Sequence, residues 1–250
     1  MKNEYPSQSY STQTIGELVA KNYRLAGVFK KFDIDFCCGG KKTLAEVCAE
    51  KGIEWDTLVA EVEKAAAAKE DHEHNYEQWE VDFLADYIVN VHHRYVRENI
   101  PPMREYTAKV ARVHGDVHPE VVEIARLFEE VASELEQHMM KEEHILFPYL
   151  KQLAAAERTG ETAPHPPFGT VENPIRLMEQ EHEHAGNLMK QIRQLSNNFV
   201  PPEDACNTYR VSFAKLNEFE EDLHHHIHLE NNILFPRAIE IEQRLVPDPQ

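Results

Sequence analysis

HMMKEEHILFP (138–148) and HIHLENNILFP (226–236) decide how this chain folds. The two stretches share His, Glu and the run Ile-Leu-Phe-Pro at matching places. The offset is 88 residues throughout, from His138 to His226, Glu142 to Glu230 and Pro148 to Pro236. A four-residue step sets His and Glu on one helical face, one turn apart. Imidazole with carboxylate suits a first-row transition metal, and a carboxylate can bridge two ions where an imidazole cannot. Two such helices facing each other would build a dinuclear site.

Working outward, each pair sits inside an apolar seam. Ile124, Phe128, Val131 and Leu135 lead to His138 and Glu142, and Ile145 and Tyr149 follow. Tyr209, Ser212, Leu216, Phe219 and Leu223 lead to His226 and Glu230, with Ile233 beyond. The steps alternate between three and four, so both pairs occupy core positions. Ionisable groups are rarely buried without partners, and a duplicated buried His/Glu pair points to a metal. His224, His225 and His228 have no counterparts in the first copy and read as surface or supporting residues. Glu143 and His144 likewise lack counterparts.

Strand signals are nearly absent and helical periodicity is nearly continuous. Residues 14 to about 69 read as a small module of short helices, broken at 33–42 and at Gly52. Its first helix carries Ile15, Leu18, Val19, Tyr23, Ala26 and Phe29, followed by helices over 43–51 and 54–69. The charged stretch 69–77 reads as a linker. Four longer helices follow: A over 80–114, B from near Pro119 to 157, C over 174–197 and D over 202–245. Pro101-Pro102 predicts a kink or break in A. The expected fold is all-α: an antiparallel four-helix bundle (78–245) preceded by a small helical domain (12–70).

If the bundle is pseudo-twofold, A and C each add a ligand. In C, His182 lies mid-seam among Met178, Ala185, Met189 and Ile192. In A, the seam is Val81, Ile88, His92 and Tyr95, with Leu84 and Val91 beside it. His92 lies about 80° around the helix from Leu84, and His93 about 180° away, on the face of Asp82 and Asp86. Phase favours His92, although one residue of slip would substitute His93. His114 follows His92 by 22 residues, ~33 Å along a continuous helix, and is a reserve only if the chain reverses at the prolines. The expected metal ligands are His92, His138, Glu142, His182, His226 and Glu230. Iron is the favoured metal, with manganese or zinc as alternatives.

Composition narrows the function. Lys+Arg is 26 against Asp+Glu 44, a formal charge of −18, so nucleic acid and anionic membranes are poor partners. The opening MKNEYPSQSY is polar and no apolar run approaches ~18 residues. A soluble cytoplasmic protein is expected. Four cysteines, Cys37 and Cys38 adjacent, do not make a disulfide framework. Cys37-Cys38 precede Gly39-Gly40; thiolates are soft iron ligands and nucleophiles, and the glycines allow a close backbone approach to a partner. Cys37 and Cys38 are thus the candidate reactive residues, handling iron, a nitrosyl group or a thiol partner. Cys48 and Cys206 read as structural.

These residues carry a resemblance. The paired His-x-x-x-Glu and Leu-Phe-Pro motifs, with single histidines on the other helices, resemble the hemerythrin-like di-iron bundle. FDIDFCCGGKKTL (32–44) resembles the short domain that precedes that bundle in the iron-sulfur cluster repair di-iron proteins, the repair of iron centres family. SELEQHMMKEEHILFP (133–148), VARVHGD (110–116), MEQEHEHAG (178–186) and HIHLENNILFP are similar to segments of that family. The resemblance spans about residues 12–243. It implies a cytoplasmic, typically dimeric stress-response protein with two iron ions, oxo- or hydroxo-bridged, that restores iron-sulfur clusters damaged by nitric oxide or oxidants. Damaged iron-sulfur proteins would be its partners, with nitric oxide or O2 as small ligands. Iron donation and nitric oxide reductase-type turnover both stay open.

Two other classes compete. A hemerythrin-like O2 or nitric oxide binding or sensing protein has no use for the dicysteine module. A ferritin-like oxidase needs Glu-x-x-His on two helices; Glu179-x-x-His182 fits, but B has no equivalent.

Overall fold

The computed structural model describes residues 10–67 and 75–246. The chain forms two compact units, residues 1–80 with 227–237 and residues 81–226 with 238–250. Among the described residues the only β-type pairing is an isolated bridge between Thr14 and Thr43.

In the first unit, α1 (Ile15–Lys21), α2 (Leu25–Lys31), α3 (Leu44–Lys51) and α4 (Trp55–Ala66) are short. The single helix expected through Ile15 and Phe29 is two. Asn22 ends α1 in an extended conformation, and its side chain accepts the Arg24 N–H at 3.1 Å, a local turn that competes with helix. Thr14 and Thr43 each close a capping box, with Glu17 and Glu46, which satisfies two orphan N–H groups per helix start. Gly52 ends α3 in the left-handed conformation, as glycine does best. Ile15, Phe29, Leu44 and Leu58 are fully buried, each stabilising the unit by roughly 1.5–3 kcal/mol before chain entropy. The linker expected over 69–77 falls outside the described residues up to 74; Tyr76–Gln78 is one 3-10 turn.

The second unit carries the bundle. Helix A is α5 (Val81–Ile88), a π-helical turn (Val89–His93) and α6 (Arg94–His114). Helix B is α7 (Glu120–Lys141), a π-turn (Glu142–Leu146) and α8 (Phe147–Thr159). Helix C is α9 (Glu172–Leu195). Helix D is α10 (Asn207–Leu229), a π-turn (Glu230–Leu234) and α11 (Phe235–Leu245). α6 packs on α7 and α5 on α8, the antiparallel pattern, and α7 packs on α9. Arg193 of C pairs with buried Glu220 of D, and Tyr95 of A donates to Glu218 of D at 3.1 Å, which closes the ring. Buried Glu242 accepts from Tyr149 Oη at 2.8 Å and from the Val171 N–H at 2.9 Å. A carboxylate thereby caps the start of α9, where the helix dipole favours it. Of the kink or break expected at Pro101-Pro102, the break does not occur; α6 runs on through both.

Candidate metal centre

Three of the four bundle helices carry one π-turn each, and each turn starts or ends on a residue of the His/Glu cluster. In each the N–H of the following residue bonds five residues back: Arg94 to Val89, Phe147 to Glu142, Phe235 to Glu230. For B and D the Ile-Leu-Phe-Pro run supplies a cause. Pro148 and Pro236 lack an N–H and crowd the carbonyl four residues earlier, so the preceding turn widens. Each carboxylate thus opens a loosened turn held in register by its own proline.

In helix A the widened turn changes which imidazole faces inward. Buried positions run Leu84, Ile88, His93, Val96, Ile100, Met103, Thr107 and Val110. The step from Ile88 to His93 is five residues where the others are three or four. His93 therefore takes the place that undisturbed phase assigns to His92. His92 is also buried, but its Nδ1 faces Asp222 Oδ1 at 3.0 Å and its ring stacks on that of His226 at 5.5 Å.

The ligand atoms of His93, Glu142, His226 and Glu230 lie within 4.8 Å of one another, and so do those of His138, Glu142, His182 and Glu230. Glu142 and Glu230 belong to both groups. Glu142 presents Oε2 to His93 Nε2 at 3.3 Å and Oε1 to His138 Nε2 at 3.3 Å, the disposition of a bridging carboxylate. His138 Nε2 and His182 Nε2 are 2.9 Å apart. Both carboxylates are 0 % exposed and all four imidazoles at most 2 %. Buried carboxylates among imidazoles need cationic compensation, and this donor set suits a pair of first-row transition ions.

A further layer fixes the rings. His93 Nδ1 lies 2.6 Å from Glu143, which also pairs with Arg97. His138 Nδ1 lies 2.8 Å from Glu181, which also pairs with Lys141. With Nδ1 engaged by a carboxylate, each ring directs Nε2 to the cluster and gains basicity. The His138 hydrogen bond and Lys141 outweigh burial and hold the Glu181 carboxyl down at about 2. Burial pushes Glu143 up, but hydrogen bonds from His93 and Arg97 hold it below its ordinary value. Glu143, which without a counterpart in the other copy reads as a surface or supporting residue, is the partner of the His93 imidazole.

The remaining histidines also find places. His225 meets the His92 ring at 5.1 Å. His228 is buried against Tyr23 and Phe36 at 5.9 and 6.0 Å, and burial lowers its pKa to about 3. His114, at the far end of α6, lies beside Cys206 and Tyr209. Ile145, expected in the seam, is exposed, and Leu146 is buried.

In the first unit, Asp35 Oδ1 accepts from the N–H groups of Cys37 and Cys38 at 3.0 Å each and from Cys37 Sγ at 3.2 Å. Asp35, Cys37 and Cys38 form another close group of potential ligand atoms. The hydrogen bond to Cys38, burial and the Asp35 charge push the Cys37 thiol well above its ordinary value. Half-buried Cys38 is the more accessible of the two. Asn232 Nδ2 donates to the carbonyls of Phe36 at 3.2 Å and Cys37 at 3.3 Å.

Residues 84–238 match the hemerythrin HHE cation binding domain. Residues 11–66 match ScdA_N, a domain of unknown function (DUF542). The chain is 40 % identical to the iron-sulfur cluster repair protein YtfE of Pectobacterium atrosepticum over 231 residues, 92 % of this chain and 98 % of that protein. It is 39 % identical to YtfE of Pectobacterium carotovorum and 37 % to YtfE of Escherichia coli O81, with the same coverage.

Proposed function

This chain belongs to the hemerythrin-type iron-sulfur cluster repair family, and on that premise we propose that it restores damaged iron-sulfur clusters through a di-iron centre in its bundle. The observation that carries this reading is the sharing of Glu142 and Glu230 between two buried His/Glu groups. His93 and His226 would serve one ion, His138 and His182 the other, and both carboxylates would span the pair, with an oxo or hydroxo bridge completing it. Iron bound there would supply one-electron chemistry, a place for nitric oxide, and metal for a cluster that has lost it.

The protein's own groups do the positioning. Glu143 and Glu181 fix the tautomers of His93 and His138, while Arg97 and Lys141 offset the charge of those carboxylates. Phe147, stacked 5.8 Å from the His93 ring, and buried Leu135, Met139 and Leu146 keep bulk water from the ligands. Cys37 and Cys38, with Asp35, suit the handling of iron, a nitrosyl group or a client thiol, and half-buried Cys38 is the more accessible member that would meet it. We place this activity in the cytoplasm, in a homodimer, with damaged iron-sulfur proteins as clients. Among the described residues no helix is long and apolar enough to cross a membrane.

The test mixes iron-loaded protein with an iron-sulfur enzyme inactivated by nitric oxide and follows the recovery of its activity. Recovery well above a metal-free control is expected. Recovery equal to that control sinks the repair reading and leaves O2 or nitric oxide binding as the function of the centre.

A further inference from the structure

Cys206 is the exposed member of the four cysteines, and its Sγ lies 3.2 Å from His114 Nε2. The two are 92 residues apart in sequence; the bundle brings the last residue of α6 against the residue preceding α10. The Cys206 carbonyl accepts the Arg210 N–H at 3.1 Å, so Cys206 is the cap of a 23-residue helix. Its sulfur therefore stands at the positive end of that helix. His118 continues the arrangement. Its Nε2 lies 3.1 and 3.2 Å from the Asp204 oxygens and its Nδ1 3.3 Å from Glu120. The Tyr209 ring packs on His114 at 5.2 Å and on His118 at 5.9 Å, which holds both imidazoles in place. The charged and titratable groups of the cluster are thus His114, His118, Asp204, Glu120 and Tyr209, with Arg210 one turn into α10, its guanidinium on the Glu203 carbonyl.

An accessible thiol joined to both an imidazole and a helix N-terminus has the surroundings of reactive cysteines and lacks those of inert buried ones. This cluster stands apart from the metal centre. α6 separates His114 from His93 by 21 residues, about 30 Å along a helix. We propose that Cys206 is a peroxide-reactive thiol, with His114 as its proton acceptor. The sulfur attacks one oxygen of hydrogen peroxide, an S–O bond forms and the O–O bond breaks. The thiol proton passes to His114 Nε2 and on to the departing hydroxide, which leaves as water. Cys206 is oxidised by two electrons to the sulfenic acid, and the peroxide is reduced. The choice of oxidant follows from charge. Asp204 and Glu120 flank His118, and Arg210 lies one turn along α10 from the thiol, in a chain of net charge −18, a setting that disfavours anionic disulfides and nitrosothiols more than an uncharged peroxide.

The test treats the full-length protein with stoichiometric hydrogen peroxide and a sulfenic-acid trap, and reads the adduct at each cysteine by tandem mass spectrometry. Comparison within one sample cancels any peroxide consumed at the metal centre. Cys206 should trap at least roughly ten-fold faster than Cys37, Cys38 or Cys48, and His114→Gln should slow it roughly ten-fold near neutral pH. Near pH 10, well above the ~8.5 at which an unassisted thiol ionises, wild type and variant should converge. Cys206 reacting no faster than Cys38, or a rate unchanged by His114→Gln, overturns the proposal. Should that variant fail to fold, a wild-type Cys206 rate no higher than that of free cysteine overturns it as well.

Discussion

His92 and His93 differ by one position, yet only His93 joins the carboxylates. Periodicity carried forward from Leu84 selects His92, because an ideal helix turns about 100° per residue and the sequence gives no notice of the five-residue step. That His138, Glu142, His226 and Glu230 share one buried cluster is legible because the His/Glu pairs come in duplicate and each copy indexes the other. Helix C was legible because His182 sits mid-seam with no neighbour to compete. His93→Ala should lower iron from two ions per chain towards one, while His92→Ala should retain both. A colorimetric iron assay on the two purified variants decides, and the opposite order would refute the phase shift. Glu143→Leu removes the acceptor from His93 Nδ1, and a lost carboxylate partner of this kind weakens metal binding roughly 10–100-fold. Competition with a chelator measures it; affinity equal to wild type would show that the 2.6 Å contact does no orienting.

At the scale of elements, the π-turns in B and D have a signal in the sequence. The Ile-Leu-Phe-Pro runs mark the duplication, and their prolines also loosen the turn that carries each glutamate. In the dicysteine loop, the absence of a side chain at Gly39-Gly40, expected to allow a close approach to a partner, also lets the loop close on itself and on Asn232. A Cβ on Gly39 would come within 2.6 Å of the Asp35 carbonyl oxygen. One on Gly40 would come within 2.8 Å of the Phe36 carbonyl oxygen and 2.4 Å of Asn232. Backbone oxygen cannot move aside cheaply, so Gly40→Ala should destabilise by about 1–3 kcal/mol. Denaturant titration reads this directly, and an unchanged midpoint would contradict the close packing.

For the whole molecule, length, acidity and helical periodicity were enough to specify an all-α chain with a small module ahead of a bundle. They could not specify that residues 227–237 count with that module, because the division depends on packing between segments some two hundred residues apart. Asn232 holds Phe36 and Cys37 by their carbonyls, and α1 packs on the π-turn at Glu230–Leu234. His228 and Asn232 thus meet Tyr23, Phe36 and Cys37 within the first unit. The central claim is that Glu142 and Glu230 hold two ions together. Anomalous diffraction at the iron edge, from crystals of anaerobically purified protein, tests it most directly. The account predicts two peaks, one beside His93 and His226 and one beside His138 and His182, each in reach of Glu142 and Glu230. A single peak, or density away from the two glutamates, would contradict it.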